Sequence, residues 1–147
     1  MARLSIDLPE HLPFRTELSL HVSHMNPGGH LDNAQVFVLW AEARRRFFEA
    51  LGYRQDNVEG LNTTVTDNAA VYRSEGFVGE VLTFHVGTGD FNKYGCDIYW
   101  QAFERLSGRE VASGKNGFVF LQAGTRKVSP IPEAFVARCK AIEQQAN

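Results

Sequence analysis

Cysteine is scarce in this sequence. The 147 residues include two cysteines, Cys96 and Cys139, which lie far apart and outside any CxxC or zinc-binding spacing. This excludes the dense disulfide framework of small secreted domains and leaves no cysteine cluster for a structural metal. We expect a reduced chain that binds no metal and needs no cofactor.

A large excess of charge of one sign is also missing. The chain has 15 Lys and Arg against 17 Asp and Glu, for a formal net charge of −2. Nucleic-acid binding normally requires a basic stripe, so nucleic acid is excluded as the main partner. A small basic pocket for a phosphate-bearing ligand remains compatible with this balance.

No long apolar run is present. No segment approaches the roughly 20 apolar residues that span a bilayer. The first residues, MARLSIDLPEHLPF, lack the basic head and unbroken apolar stretch of a secretory signal. We therefore expect a cytoplasmic protein without a membrane partner. Its length and its 44% of hydrophobic residues suit a single domain over residues 1–147.

The sequence does contain a strand followed by an apolar helix. Residues 16–23, TELSLHVS, alternate apolar and polar side chains, as in a half-buried strand. After an Asn-Pro-Gly-Gly loop, apolar residues recur every three or four positions and predict a buried helix over residues 33–51. Asp32 or Asn33 can cap its start, and Gly52 ends it.

Four strand-like segments come next, over residues 63–73, 79–89, 93–104 and 109–121. Gly89-Asp90 and Ser107-Gly108 stand where tight hairpin turns belong. A short amphipathic helix, EAFVARCKAIEQQ, follows Pro130 and Pro132. These elements predict an α+β domain in which an antiparallel meander of about five strands curls around one long central helix.

The segment NPGGHLDNAQVFVLWAEARRRFFEALGY is similar to the loop and helix of a known family, with Gly-His, a following Asn and Ala, EAR, an aromatic residue and LG. GEVLTFHV, SGREVASGKNGFVF and PIPEAF also agree in order and spacing. On these segments, nearly the whole chain resembles the hotdog-fold acyl-CoA thioesterases related to 4-hydroxybenzoyl-CoA thioesterase. The resemblance implies the hotdog fold, acyl-CoA as substrate, and a homodimer or homotetramer with active sites between protomers.

The acidic residues of that family are changed in this chain. Many members have an Asp at the position of Asn26, and a related branch has one at the position of His24. An amide is a poor base and a poor nucleophile near neutral pH. The family's common Asn two residues after the loop His is Asp32 here. Two familiar acids are therefore absent, and one carboxylate is new.

The start of the helix is where a thioester carbonyl could be polarised. The first N–H groups of an α-helix have no partner within it and point at any oxyanion placed there. Gly28 and Gly29 permit close approach of the backbone, the amides near Asn33 and Ala34 would be donors, and Asn26 belongs to the same binding loop. Alternatively, the glycines only make a tight turn before an ordinary helix cap.

His30, Asp32 and Glu42 are the candidates for activating water. His30 matches the family histidine, and an imidazole titrates near neutrality; otherwise it holds the turn through loop carbonyls. Asp32 could orient His30 or act on water, unless it only caps the helix. Glu42 lies in the EAR segment, where some hotdog thioesterases use a helix Glu, although a salt bridge explains it equally. His24 could face the pocket or be a partly buried structural histidine.

Asp67 is a further candidate for the substrate pocket. In TVTDNAAVY it shares strand parity with Val65, Ala69 and Val71, so we expect it on the apolar face. An acid there is either paired or functional.

The phosphates of CoA would need cations. Arg73, Lys93 and Lys115 lie near strand ends or turns and could supply them, or could be ordinary solvated charges. We expect the run Arg44–Arg46 to form an exposed helix face.

The leading hypothesis is an acyl-CoA thioesterase in which helix-start amides polarise the carbonyl and His30 with Asp32, or Glu42, activates water. One alternative is a hotdog dehydratase or hydratase, which would use a loop His with a helix acid across the dimer. The other is a module that binds acyl-CoA without turnover, which the changed acid positions favour.

Overall fold

The computed structural model describes residues 3–145, which form six strands, two α-helices and one short 3-10 turn. The strands are β1 (Phe14–Ser19), β2 (Leu61–Tyr72), β3 (Val81–Gly89), β4 (Gly95–Glu104), β5 (Glu110–Gln122) and β6 (Val128–Ser129). The helices are α1 (Asn33–Ala50) and α2 (Glu133–Gln145). Within residues 3–145, no helix is both long and apolar enough to cross a membrane.

The strands form one antiparallel sheet in the order β1-β3-β4-β5-β2, and the short β6 pairs with β5. The hairpin turns predicted after β3 and β4 are confirmed, with positive φ at Asp90 (50°) and Gly108 (74°). The predicted meander, in which consecutive strands pair, is wrong at β2, which pairs with β5 rather than with β3. The reason is that residues 73–80 do not form a hairpin turn between β2 and β3. Instead, these residues cross one end of the sheet. At the start of the segment the N–H of Arg73 donates to the carbonyl of Val111, and at its end the N–H of Gly79 donates to the carbonyl of Leu20.

The helix α1 lies against one face of the sheet, and its buried side chains form the centre of the core. Trp40, Ala43 and Phe47 are fully buried, as the spacing of apolar residues predicted. The Trp40 indole stacks on that of Trp100 from β4, with ring centroids 5.5 Å apart. The α+β architecture is therefore confirmed, with a sheet of six strands. The central helix is shorter than the long helix expected, at 18 residues or about 27 Å.

The C-terminal helix α2 closes the other end of the core. Its Phe135 is fully buried, with its ring centroid 5.2 Å from that of Phe120 and 6.0 Å from that of Phe48. Cys139 on the same helix is buried and unpaired, and burial raises the pKa of its thiol to about 12. This cysteine is a packing residue rather than a nucleophile.

The first strand ends earlier than the alternation of side chains indicated, at Ser19 instead of residue 23. Leu20 still pairs with the crossing segment through Glu80 and Gly79. Residues 22–24 then form the 3-10 turn, in which the N–H of His24 donates to the carbonyl of His21 at 2.9 Å. This early turn begins the polar loop that leads into α1.

Candidate active site

Asn26 organises the loop before α1. Its side-chain oxygen accepts hydrogen bonds from the N–H of Gly28 at 3.0 Å and of His30 at 3.3 Å. Its own N–H donates to the carbonyl of His30 at 2.8 Å. Gly29 has a φ of 86°, which favours glycine because that residue has no Cβ. The amide of Asn26 thus shapes the turn, and its oxygen is already occupied by backbone donors.

Asp32 caps the start of α1. Its Oδ2 accepts a hydrogen bond from the N–H of Ala34 at 2.9 Å. The structure therefore differs from the prediction at Ala34, because the carboxylate of the cap occupies that amide. Among contacts within residues 3–145, the N–H groups of Asn33 and Gln35 have no acceptor. The Tyr72 hydroxyl donates to the carbonyl of Asn33 at 2.8 Å and fixes this end of the helix against β2.

His30 faces an acid that the sequence analysis did not identify. Its Nε2 lies 3.6 Å from Oε1 of Glu75, and the two side chains are 37% and 60% exposed. Phe77 packs edge-on to the imidazole, with ring centroids 6.2 Å apart. The N–H of Leu31 donates to the carbonyl of Gly76 at 2.8 Å, which holds the crossing segment beside the loop. Glu75, rather than Asp32, is therefore the carboxylate beside His30.

Glu42 does not join this group. Its carboxylate accepts hydrogen bonds from Arg45 at 2.8 Å and from Arg46 at 3.1 Å. These guanidinium groups, chiefly Arg45, lower the pKa of Glu42 to about 2. A carboxylate so stabilised in its charged form is a weak base. Glu42 also lies eight residues after Ala34, about 12 Å along the helix axis.

His24 lines a separate groove of about 360 Å³ together with Glu42, Arg46 and His21. Its Nδ1 accepts a hydrogen bond from the N–H of His21 at 2.9 Å. Burial, helped by the charge of His21, lowers the pKa of His24. The structural interpretation of this histidine is therefore the better supported one.

The prediction that Asp67 points to the apolar face is wrong. The register of β2 against β5 shifts between Val65 and Asp67, and this bulge breaks the alternation on which the prediction depended. Asp67 is exposed, and its Oδ1 accepts a hydrogen bond from the N–H of Gly117 at 3.0 Å. The bond holds β2 to β5 at the bulge.

The three candidate cations for the CoA phosphates each lie beside a different protein group. Arg73 lies 4.0 Å from Glu110, Lys115 lies 3.2 Å from Asp97, and Lys93 lies 5.3 Å from the ring centroid of Tyr94. The expectation for Arg44–Arg46 fails at Arg44. This side chain is half-buried, and it donates to Gln55 at 3.0 Å and to the buried Asn116 at 3.1 Å.

The residues brought together at the helix start thus offer three functions. Two amides without acceptors can stabilise a developing oxyanion, and an imidazole backed by a carboxylate can accept and return a proton. Exposed Phe77 adds an apolar surface beside them. Within residues 3–145, no cluster of three or more His, Cys, Asp or Glu side chains can hold a metal ion.

Comparison with known families gives a match over most of the chain. The model of the thioesterase-like superfamily matches residues 20–139, which include the loop, α1 and most of the sheet. No curated protein has a significantly similar sequence.

Several solved structures are similar in fold. A 1,4-dihydroxy-2-naphthoyl-CoA thioesterase from Synechocystis has a TM-score of 0.78 and 13% identity, over 86% of this chain and 95% of that one. A mutant 4-hydroxybenzoyl-CoA thioesterase complexed with 4-hydroxybenzoyl-CoA has a TM-score of 0.77 and 18% identity, over 86% and 97%. A Staphylococcus aureus protein in complex with CoA has a TM-score of 0.79 and 15% identity, over 89% and 84%. These similarities confirm the hotdog fold.

Proposed function

Because the chain belongs to the thioesterase-like superfamily and is therefore a thioester hydrolase, we propose that it hydrolyses an acyl-CoA thioester with the His30 loop as its catalytic centre. Two observations carry this proposal: helix-start amides without an acceptor within residues 3–145, and, in the loop directly before them, an imidazole that faces a carboxylate. Proteins of similar fold are named as CoA thioesterases or were solved in complex with CoA, which supports CoA as the carrier of the acyl group. We further propose that residues 1–147 act as one domain.

The start of α1 polarises the carbonyl. The N–H groups of Asn33 and Gln35 have no acceptor within residues 3–145, and they add to the positive end of the helix dipole. The carbonyl oxygen of the thioester lies toward these amides, where negative charge is stabilised as the tetrahedral intermediate forms. Asp32 keeps the helix start in shape through its bond to Ala34.

His30 moves the proton. Its neutral imidazole takes a proton from water as the water oxygen bonds to the carbonyl carbon. The Glu75 carboxylate, 3.6 Å away, stabilises the imidazolium that results. When the intermediate collapses, the C–S bond breaks and the CoA thiolate leaves with the proton from His30. The products are the free acid and CoA.

We also propose that the protein is a homodimer joined at the β2 edge. The strand β2 pairs only with β5 among the described strands, so its other edge of 12 residues is open. Val65 and Tyr72 on this strand are 42% and 48% exposed. A long edge with apolar side chains favours pairing with a second strand. Since Tyr72 contacts the start of α1, a second copy there would form a wall of the active site.

The test is hydrolysis of a panel of acyl-CoAs, with release of free thiol as the readout. The wild type should turn over at least one member, and His30→Gln should lower kcat by about 100-fold or more. Glu42→Gln is the matched control, because it changes a carboxylate on α1 that is held in surface ion pairs. That variant should keep its activity.

Binding of CoA thioesters without turnover would show a binding module instead. Hydration of an enoyl-CoA would favour the hydratase. Turnover that survives in His30→Gln but is lost in Glu42→Gln would contradict the assignment of the base.

A further inference from the structure

A row of polar side chains crosses the face of the sheet that lies opposite α1. Arg15 of β1 is the cross-strand partner of His85 on β3, and His85 is the partner of Gln101 on β4. The neighbours of His85 along its strand, Phe84 and Val86, are fully buried in the core. Because side chains alternate along a strand, His85 and its two partners point to the outer face.

The segment that precedes β1 forms a wall over this row. Residues 9–13 run beside β3, where a Cβ added to Gly87 would lie 3.1 Å from the carbonyl oxygen of His11. The absence of a side chain at Gly87 allows this close approach. Between segment and sheet lies a cavity of about 470 Å³. Its lining includes Arg15, His85, Gln101, His11 and Glu10.

Three polar side chains at this cavity have no polar partner in the described part of the chain. Among contacts within residues 3–145, Arg15, His85 and Gln101 make no side-chain hydrogen bond and no ion pair. His85 and Gln101 are half-buried, so solvent reaches only part of each side chain. Phe103 packs against the imidazole of His85, with ring centroids 4.9 Å apart, and so restricts its orientation. Three donors without a polar partner in the described residues thus line one cavity.

We propose that this outer-face cavity binds the phosphate group of a small ligand, such as a free phosphate or a nucleotide, at a site separate from the thioesterase centre. A guanidinium fork, an imidazolium and an amide NH₂ are the donors that recognise phosphate oxygens. The cavity volume lies within the range of small-molecule sites. The acid in its lining, Glu10, belongs to the exposed segment rather than to the sheet.

The charges around His85 provide a readout of ligand binding that does not depend on enzyme activity. Burial and the positive charge of Arg15 lower the pKa of His85. The other ionisable groups at the cavity are His11 and Glu10, both from the covering segment. A bound phosphate places negative charge between Arg15 and His85, which favours the imidazolium, so binding should raise the pKa of His85.

The experiment is an NMR titration of the His85 imidazole in the full chain, with inorganic phosphate and with ADP as separate probes. Both probes should shift the His85 resonances in a saturable manner and raise its pKa. Arg15→Gln should weaken binding by about tenfold or more, because it removes the charged fork. Arg126→Gln, which changes an exposed arginine after β5, is the matched control and should bind like the wild type.

The steady-state KM for an acyl-CoA separates this site from the catalytic one. It should be the same in Arg15→Gln as in the wild type, whether or not His30 proves to be catalytic. Three results overturn the proposal: no saturable shift with either probe, equal binding by Arg15→Gln and the wild type, or a KM that rises in Arg15→Gln. The last result would assign the cavity to the CoA moiety of the substrate.

Discussion

Oε1 of Glu75 lies 3.6 Å from Nε2 of His30, although 45 positions separate the two residues in the chain. The segment between β2 and β3 brings them together because it crosses the end of the sheet and bonds to Leu31 through Gly76. The loop itself holds an amide at Asn26 and an imidazole at His24, where relatives of the resembled family have acids. A carboxylate from another part of the chain therefore stands beside the catalytic histidine that we propose.

This relationship predicts coupling between the two residues. Glu75→Gln should lower kcat by roughly tenfold, less than the 10²–10⁴-fold that a general base contributes, because it removes only the stabilisation of the imidazolium. In the double variant with His30→Gln, the second change should have little further effect. Steady-state kinetics of the two single variants and the double variant measure this coupling. Additive losses would show that Glu75 acts independently of His30.

The helices were predictable from the sequence because their signals are local. The apolar spacing of α1, the cap at Asp32 and Gly52 after its end define residues 33–50 without reference to the rest of the chain. The same is true of α2, whose bounds agree with the predicted segment. The oxyanion site at the start of α1 could be proposed for the same reason.

The position of β2 and the role of Glu75 depend on contacts distant in sequence. Alternation assigns a strand's faces but does not select its neighbour, so the pairing of β2 with β5 was not predictable. Glu75 was missed because it lies in an irregular segment whose path follows from that pairing. Asp67 was misplaced by a bulge, since one extra residue reverses the alternation.

Asp32 offers a test that separates capping from catalysis. Asp32→Ala removes the acceptor for the N–H of Ala34 and should lower the free energy of unfolding by about 1 kcal/mol. Asp32→Asn keeps a capping oxygen, so both stability and kcat should stay close to those of the wild type. Urea unfolding and thiol-release kinetics provide the two measurements. A large loss of kcat in a stable Asp32→Asn would instead identify Asp32 as the base.

Glu42 predicts a dependence of stability on pH. Its pKa, lowered to about 2 by Arg45 and Arg46, means that the ion pairs stabilise the folded state fully above about pH 4.5, the ordinary value. This contribution is lost as the pH falls toward 2. Because the carboxylate is 38% exposed, solvent screens the pairs, and Glu42→Gln should cost only about 0.5 kcal/mol at pH 7.

Unfolding of Glu42→Gln and of the wild type by urea at pH 7 and at pH 3 measures this dependence. The difference in the free energy of unfolding between the two proteins should be smaller at pH 3, and salt should reduce this difference at pH 7. An equal difference at both pH values would show that packing, not charge, accounts for the effect.

The open edge of β2 predicts a variant that dissociates the proposed dimer. Val65→Lys places a charge on the exposed edge, and lysine on an edge strand opposes pairing with another chain. Light scattering after size exclusion should show a dimer for the wild type and a larger monomer fraction for this variant. Leu106→Lys changes a residue that is more exposed, in the turn between β4 and β5, and should leave the dimer intact. A wild type that is monomeric at all concentrations would contradict the proposal.

The buried amide of Asn116 predicts the largest loss of stability among these variants. Its Oδ1 accepts hydrogen bonds from Trp40 Nε1 at 2.7 Å and from Arg44 Nη1 at 3.1 Å, and the residue is fully buried. Asn116→Ala leaves an indole N–H and a half-buried guanidinium without this acceptor and opens a small cavity, so we expect a loss of about 3 kcal/mol. Asn116→Asp keeps an acceptor oxygen for both donors and adds a negative charge beside Arg44. Asn116→Asp should therefore be less destabilised than Asn116→Ala when urea unfolding of the two is compared at pH 7. The reverse order would show that the volume of the side chain, rather than its oxygen, holds α1 to β5.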